Sequence, residues 1–335
     1  MKLKNDYYDI QNRKQKRKLN KAEVDVFREL EFALDPVAYL QHIGLDPFPW
    51  QQAVLKDPST RIVINGARQI GKSTIMSAFV CHHAKYFPGS LCVILAPSKD
   101  QAAIDMRKII EFIAQDPSYP ETKHETTEEI ELLNGSWIKV VAATDKGARG
   151  YSNPDIILLD ECSRIPDEVF DAVKPMITNN PLARIIEIST PNGKLGFFYN
   201  HYHLDRWSKY LITSPWDVMT DGGTPILFER DTSRKHLLEL MELKESDDLK
   251  IYVSPRHMNK VEQEENVESM SYMKYRQEFL CEFVDAQDQV FGQDLIRKMF
   301  HDDLKDEDPE KPFIEEVAYR QEVDPLVELL RAKEI

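Results

Sequence analysis

Cysteine is scarce in this chain of 335 residues: Cys81, Cys92, Cys162 and Cys281 stand alone, without CxxC spacing, each in or beside an apolar stretch. That pattern argues against a disulfide framework or a cysteine-ligated metal and predicts buried free thiols. Long apolar runs are missing too. No window approaches the roughly 18 to 20 uninterrupted apolar residues of a membrane-spanning helix. The first ten residues, MKLKNDYYDI, are polar rather than signal-like, so a cytoplasmic chain with no membrane partner is expected. Glycine and proline, 12 and 19 residues, follow no period, which excludes a collagen-like or repeat fibre. What is present, 42% hydrophobic residues and 10% aromatics, excludes disorder throughout and suffices for one large core, or one core with a small appendage.

Positive charge is also short. Against 57 Asp+Glu stand 43 Lys+Arg, a net charge of −14, and a surface of that sign does not coat nucleic acid nonspecifically. The charge is unevenly placed. Residues 1–21 hold eight Lys/Arg against Asp6 and Asp9, whereas residues 301–335 hold twelve acids against five bases. Two solvated tails account for this; polyanion or partner contact by the basic arm is the other reading.

After the arm (1–20), residues 21–60 carry helical spacing (Val24, Phe27, Leu30, Leu34, then Val37, Leu40), with Pro36 opening a second helix and Trp50-Gln51-Gln52 a third. From Arg61 the chain alternates strand and helix. RIVIN (61–65), LCVILAP (91–97), DIILLD (155–160) and RIIEIST (184–190) are near-continuous apolar runs, with helices over 72–87 and 99–113. Strands of that kind are covered on both faces, which predicts an α/β fold around a mostly parallel sheet. Asn134-Gly135 between two apolar stretches predicts a type I′ hairpin, hence an antiparallel pair inside that sheet. The core is expected to run over 61–290, with a surface insertion around 215–260 and a helix over 271–284 leading to a final strand. An acidic linker or tail over 291–335 follows.

The most specific feature is Gly66-Ala67-Arg68-Gln69-Ile70-Gly71-Lys72-Ser73, followed by Thr74, which fits GxxxxGK[ST] at every fixed position. It follows an apolar strand and opens a helix, as a P-loop NTPase requires. Glycine lets the backbone curl so that N–H groups face phosphate oxygens, and the helix N-terminus adds positive potential. Lys72 is expected to reach the β- and γ-phosphates of ATP, and the Ser73 hydroxyl to ligate Mg²⁺. Ile156-Ile157-Leu158-Leu159 then delivers Asp160 and Glu161 to the strand edge where ligands of parallel sheets bind. Asp160 would hold the Mg²⁺ shell; Glu161 would orient or deprotonate the attacking water, which implies hydrolysis rather than binding alone.

From about Asp35 to Phe300 the sequence resembles the large (motor) subunit of DNA-packaging terminases of tailed bacteriophages. The blocks that carry the resemblance are LDPVAYLQHIGLDPFPWQ, NGARQIGKST, GARGYSNPDIILLDECSRIPDEVFDAVKPMI, ISTPNGKLGFFYN and YRQEFLCEF, in that order. The resemblance implies that Gln51, beside Trp50, reads the adenine edge, unless it is a helix-surface glutamine next to a packed tryptophan. It implies a phosphate role for Arg68, against a salt bridge that ties the loop down. It implies that Arg149 acts on a neighbouring subunit's nucleotide, against a surface or DNA-facing cation. Ser189-Thr190-Pro191 looks like a coupling motif in which Thr190 relays loss of the γ-phosphate, against a plain strand-ending turn. The family implies a motor for double-stranded DNA, a homo-oligomeric ring, commonly of five subunits, on a portal protein at the procapsid, in the cytoplasm of the infected host. A small terminase subunit is a possible partner.

One departure stands out. Large subunits usually continue into a nuclease domain, whereas 44 residues remain after Phe291, too few for another domain of at least ~50 residues with its own core. Asp302, Asp303, Asp306, Glu307 and Asp308 read as a solvated face, so either cutting is expected of a separate chain or this is a motor domain alone. A helicase-like ATPase, an ATP-gated assembly protein and a defective remnant of the motor are the alternatives.

Overall fold

A strand buried on both faces carries apolar side chains in both directions, and in the computed structural model the four runs identified above form the centre of a nine-stranded sheet. The structure describes residues 21–143, 150–214, 219–221, 224–226, 249–253 and 272–284. The basic arm, Arg149, most of the span 215–260 and the acidic tail lie outside the described residues.

Three helices come first: α1 (Lys21–Leu34), α2 (Pro36–His42) and α3 (Pro49–Leu55). Asp35 caps α2 by accepting from the N–H groups of Val37 and Ala38, while Pro36 takes the first helical position, where no donor is missed. There follow β1 (Arg61–Gly66), α4 (Lys72–Tyr86), β2 (Leu91–Ala96), α5 (Lys99–Gln115), β3 (Thr122–Glu125), β4 (Glu129–Leu132), β5 (Trp137–Ala142) and β6 (Ile156–Asp160). The chain continues through α6 (Asp167–Val173), β7 (Arg184–Ser189), α7 (Gly196–Tyr202), β8 (Ser208–Thr213), β9 (Met219–Asp221), β10 (Thr224–Ile226), β11 (Leu249–Val253) and α8 (Tyr272–Glu278). Among the described residues no helix is long and apolar enough to cross a membrane, and all four cysteines are buried free thiols.

Across the sheet the order is β11-β8-β1-β7-β6-β2-β5-β4-β3. The first seven are parallel to one another; β4 and β3 are antiparallel additions. β7 lies between β1 and β6, with Asn65 opposite Ser189 and Asp160 opposite Ile188. The register therefore brings the tips of these three strands level at one edge, the carboxyl edge at which α/β sheets bind ligands.

Four local expectations change. The antiparallel strands extend one side of the sheet rather than sitting inside it. Their hairpin is also not type I′: only Gly135 has positive φ (+85°), and its N–H donates to Leu132 O at 2.9 Å. The result is a three-residue connection with glycine in the left-handed position, and the Asn134 side chain is free to accept from Ser136 N. Within the span expected to be a surface insertion, Leu249–Val253 instead pairs in parallel with β8 and ends the main sheet. Finally, α8 ends at Glu278 rather than running to residue 284, and the strand expected after it lies outside the described residues. Residues 281–284 are irregular because Cys281 turns left-handed (φ +62°) and gives its carbonyl to Asn65 Nδ2 at 2.8 Å, tying the segment across the end of β1.

Candidate active site

The turn from β1 into α4 is tight enough to dictate its residues. A Cβ on Gly66 would stand 3.0 Å from both Ile70 Cδ1 and Lys72 Cδ, and Gly71 closes the loop at φ +88°. Helix α4 then starts at Lys72 with first-turn N–H groups that have no acceptor four residues back, a feature that favours anions. Two loop amides are already committed to the protein: Ala67 N donates to Ile212 O and Arg68 N to Glu278 O. The Lys72 ammonium is buried and folded back on the loop, donating to Gly66 O (2.7 Å) and Ala67 O (2.8 Å). Burial pushes its pKa down, against the opposing pull of Glu161, Cys281 and Asp160.

Across the hollow, Ser73 Oγ donates to Asp160 Oδ2 at 3.0 Å, which joins the first turn of α4 to the tip of β6. Asp160 is buried, and its other oxygen, Oδ1, receives no hydrogen bond. Burial and the neighbouring Glu161 raise its pKa. A hydroxyl beside an unsatisfied buried carboxylate oxygen is an oxygen-only donor set that suits a hard divalent cation. Glu161 occupies the left-handed region (φ 46°, ψ 41°), a strained conformation for a residue with a side chain, and one that concentrates at functional sites. Its Oε2 accepts from Ser189 Oγ at 3.4 Å, and Ser189 is in turn bonded to Ser163. The acids of β6 and the tip of β7 are thus in direct contact.

The remaining expected residues fall around this centre unequally. Gln51 is buried; its Oε1 accepts from Phe48 N at 2.8 Å, and its Nε2 lies 3.4 Å from where a Cβ on Gly71 would be. The amide therefore abuts the phosphate loop. Trp50 is packed into the core, where it positions this turn rather than offering a face to a ligand. Arg68 pairs with Glu278 (Nε to Oε2, 2.9 Å), which Lys274 also reaches at 2.8 Å. Thr190 is buried directly after β7, and Gln277 of α8 donates to the adjoining Pro191 O at 2.7 Å. Gln69, with positive φ, and Ile70, in the core, complete the loop.

Two residues were missed: Gln101 and Asp105. Gln101 Nε2 donates to both Asp160 Oδ2 (3.2 Å) and Asp105 Oδ1 (3.1 Å). Asp105 is buried, its carboxyl pushed up to about 8 by burial and by Asp160. The signal was present in the sequence, since Asp105 falls among Ala102, Met106 and Ile109 on the inward face of α5.

Residues 63–298 match the family model described as terminase large subunit, T4-like-virus type, N-terminal. The chain belongs to this family. Among curated members, the terminase large subunit of Thermus phage G20c is 27% identical over 183 residues, covering 49% of this chain and 37% of that one, so the matched part is little more than a third of the relative's length. The large terminase ATPase domain of Thermus phage P74-26 matches with a TM-score of 0.53 at 21% identity, over 73% of this chain and 97% of that domain. The HK97 bacteriophage large terminase matches with a TM-score of 0.55 at 17% identity, over 75% and 55%. At these identities the two structures support the fold, which is that of terminase ATPase domains.

Proposed function

We propose that this terminase chain binds and hydrolyses ATP with Mg²⁺ and uses the cycle to move double-stranded DNA into a procapsid. The observation that carries the reading is the level alignment of three strand tips, which sets Lys72, Ser73, Asp160, Glu161 and Ser189 around one hollow.

The phosphates would lie on the N–H groups of residues 69–74, and Lys72 would exchange the carbonyls of Gly66 and Ala67 for the β- and γ-oxygens. Ser73 and Asp160 would hold Mg²⁺, whose charge offsets that of the phosphates. Glu161 orients the attacking water and takes its proton, with Ser189 fixing one carboxylate oxygen so that the other faces the water. Gln51 selects the base. Arg68 leaves Glu278 to add positive charge when phosphate arrives, and Arg149 of a neighbouring subunit adds more. Thr190 and Pro191, tied to α8 through Gln277, carry the change away from the site. The active form is a homo-oligomeric ring, a pentamer on the portal protein, working in the host cytoplasm with a small terminase subunit. The acidity of each subunit fits a ring, where a few cations facing a central channel suffice and weak grip permits release between strokes.

Steady-state phosphate release tests this directly. Turnover is expected to require Mg²⁺ and to fall by roughly 10² to 10⁴-fold in Glu161→Gln, with ADP affinity retained. Unchanged turnover in that variant would overturn the assignment.

A further inference from the structure

The floor of the site contains one more carboxyl group than the proposed chemistry uses. Asp105 comes from α5, two turns beyond its N-cap, where Ser98 Oγ accepts from Gln101 N at 3.2 Å. That cap fixes the first turn and directs the Gln101 side chain inward, where its single amide nitrogen serves both carboxyl groups, Asp160 Oδ2 and Asp105 Oδ1. The only cation near Asp105 among its described partners, Lys108 Nζ, is 3.7 Å from Oδ1, at the loose limit of an ion pair. Asp105 Oδ2 and Asp160 Oδ1 are both buried and lack a donor, the two carboxyl groups having only each other within hydrogen-bond reach on that side.

Two adjoining buried carboxyl groups with two unserved oxygens and one shared amide are an unfavourable arrangement for a core. A hydrophobic residue at 105 would pack among Ala102, Met106 and Ile109 without that cost. The arrangement makes sense where a positive charge arrives at the Ser73 side of Asp160. We propose that Asp105 and Gln101 are positioning residues for the divalent cation of the nucleotide. Gln101 holds Asp160 Oδ2 so that Oδ1 stays free, and Asp105 sets a second carboxyl group behind it. This rests on the reading of Ser73 and Asp160 as the magnesium site.

The test is Mn²⁺ affinity of the full chain in the presence of ADP, read from the electron paramagnetic resonance signal of free Mn²⁺, alongside ADP affinity without metal. Outer partners of metal ligands typically contribute 10 to 100-fold in metal affinity, so Asp105→Asn and Gln101→Leu are each expected to weaken Mn²⁺ binding by about 10-fold or more. ADP affinity without metal should stay within about twofold, and Asp105→Glu should restore part of the loss, neither of which a packing defect would give. Gln101 is half-buried, so its variant keeps the test open if Asp105→Asn does not fold. Wild-type Mn²⁺ affinity in both variants, with loss in Asp160→Asn, would overturn this inference and leave the magnesium site standing. No loss in Asp160→Asn would overturn both.

Discussion

The two ends of the sheet treat buried polar groups in opposite ways. At the amino end, Asp57 is saturated: Oδ2 accepts from Ser208 Oγ (2.5 Å), Tyr210 OH (2.7 Å) and Lys250 Nζ (2.7 Å), and Oδ1 from Ser59 N (2.8 Å). Arg184 adds bonds to the carbonyls of Asp57 and Ser59, and Arg61 to those of Thr60 and Ala183. Burial works against ionisation of Asp57, yet these donors hold its carboxyl well below the usual range. At the carboxyl end, Asp160 Oδ1, Asp105 Oδ2 and Thr213 Oγ1 have no donor or acceptor, and Gln69, Glu161 and Cys281 all adopt positive φ. The amino end leaves Trp207 Nε1 without a partner but saturates its carboxylate; the carboxyl end leaves carboxylate oxygens unserved, which is what a ligand site requires.

The contrast is sharpest at Glu161. Replacing it by Gly should lower turnover by roughly 10² to 10⁴-fold and yet stabilise the fold. Relief of about 1–2 kcal/mol of left-handed strain exceeds the roughly 0.4–1 kcal/mol lost through a freer unfolded chain. Denaturant melts of the two proteins measure this, and a destabilised variant would break the comparison. Asp57→Ala should do the reverse. Loss of a buried charge that serves three side-chain donors should cost about 2–4 kcal/mol, with phosphate release per folded molecule unchanged.

The smallest effect is one of pH. Helices α4 and α5 run back to the amino end, where Asp116 accepts from Lys85 Nζ, Tyr39 OH and Ser118. Burial alone would raise its pKa, but the hydrogen bonds from Lys85, Tyr39 and Ser118 bring it from 3.8 down to about 2. A carboxyl with a depressed folded-state pKa contributes fully above its unfolded value and loses that contribution as pH falls through the folded one. Stability should therefore decline between about pH 4 and pH 2, and Asp116→Asn should flatten that limb while lowering stability at neutral pH.

The sequence revealed what is local and concealed what is assembled. RIVIN, DIILLD and RIIEIST are near-continuous apolar runs, and the phosphate loop and the acids at the end of β6 each lie within a few consecutive residues. Strand β8 escaped notice because SKYLIT offers only three consecutive apolar residues, Tyr210, Leu211 and Ile212. Strand β11 escaped because it lies in a polar span and earns its place only by pairing with a strand some forty residues earlier. Gln101 and Asp105 belong to the site through contacts with Asp160, 59 residues from Gln101 in the chain. The turn at Asn134-Gly135 was legible as a hairpin but not as a type, because either residue can adopt positive φ and only the second does.

The position of β1 has a consequence for biosynthesis. Its two neighbours, β7 and β8, begin at Arg184 and Ser208, so the segment bearing the phosphate loop leaves the ribosome long before either partner exists. At 5–20 residues per second, about 6–25 s pass before the first arrives. Throughout that interval RIVIN, with Arg61 as its one charge, is a short β-prone stretch with open edges, exposed to aggregation and to chaperone capture.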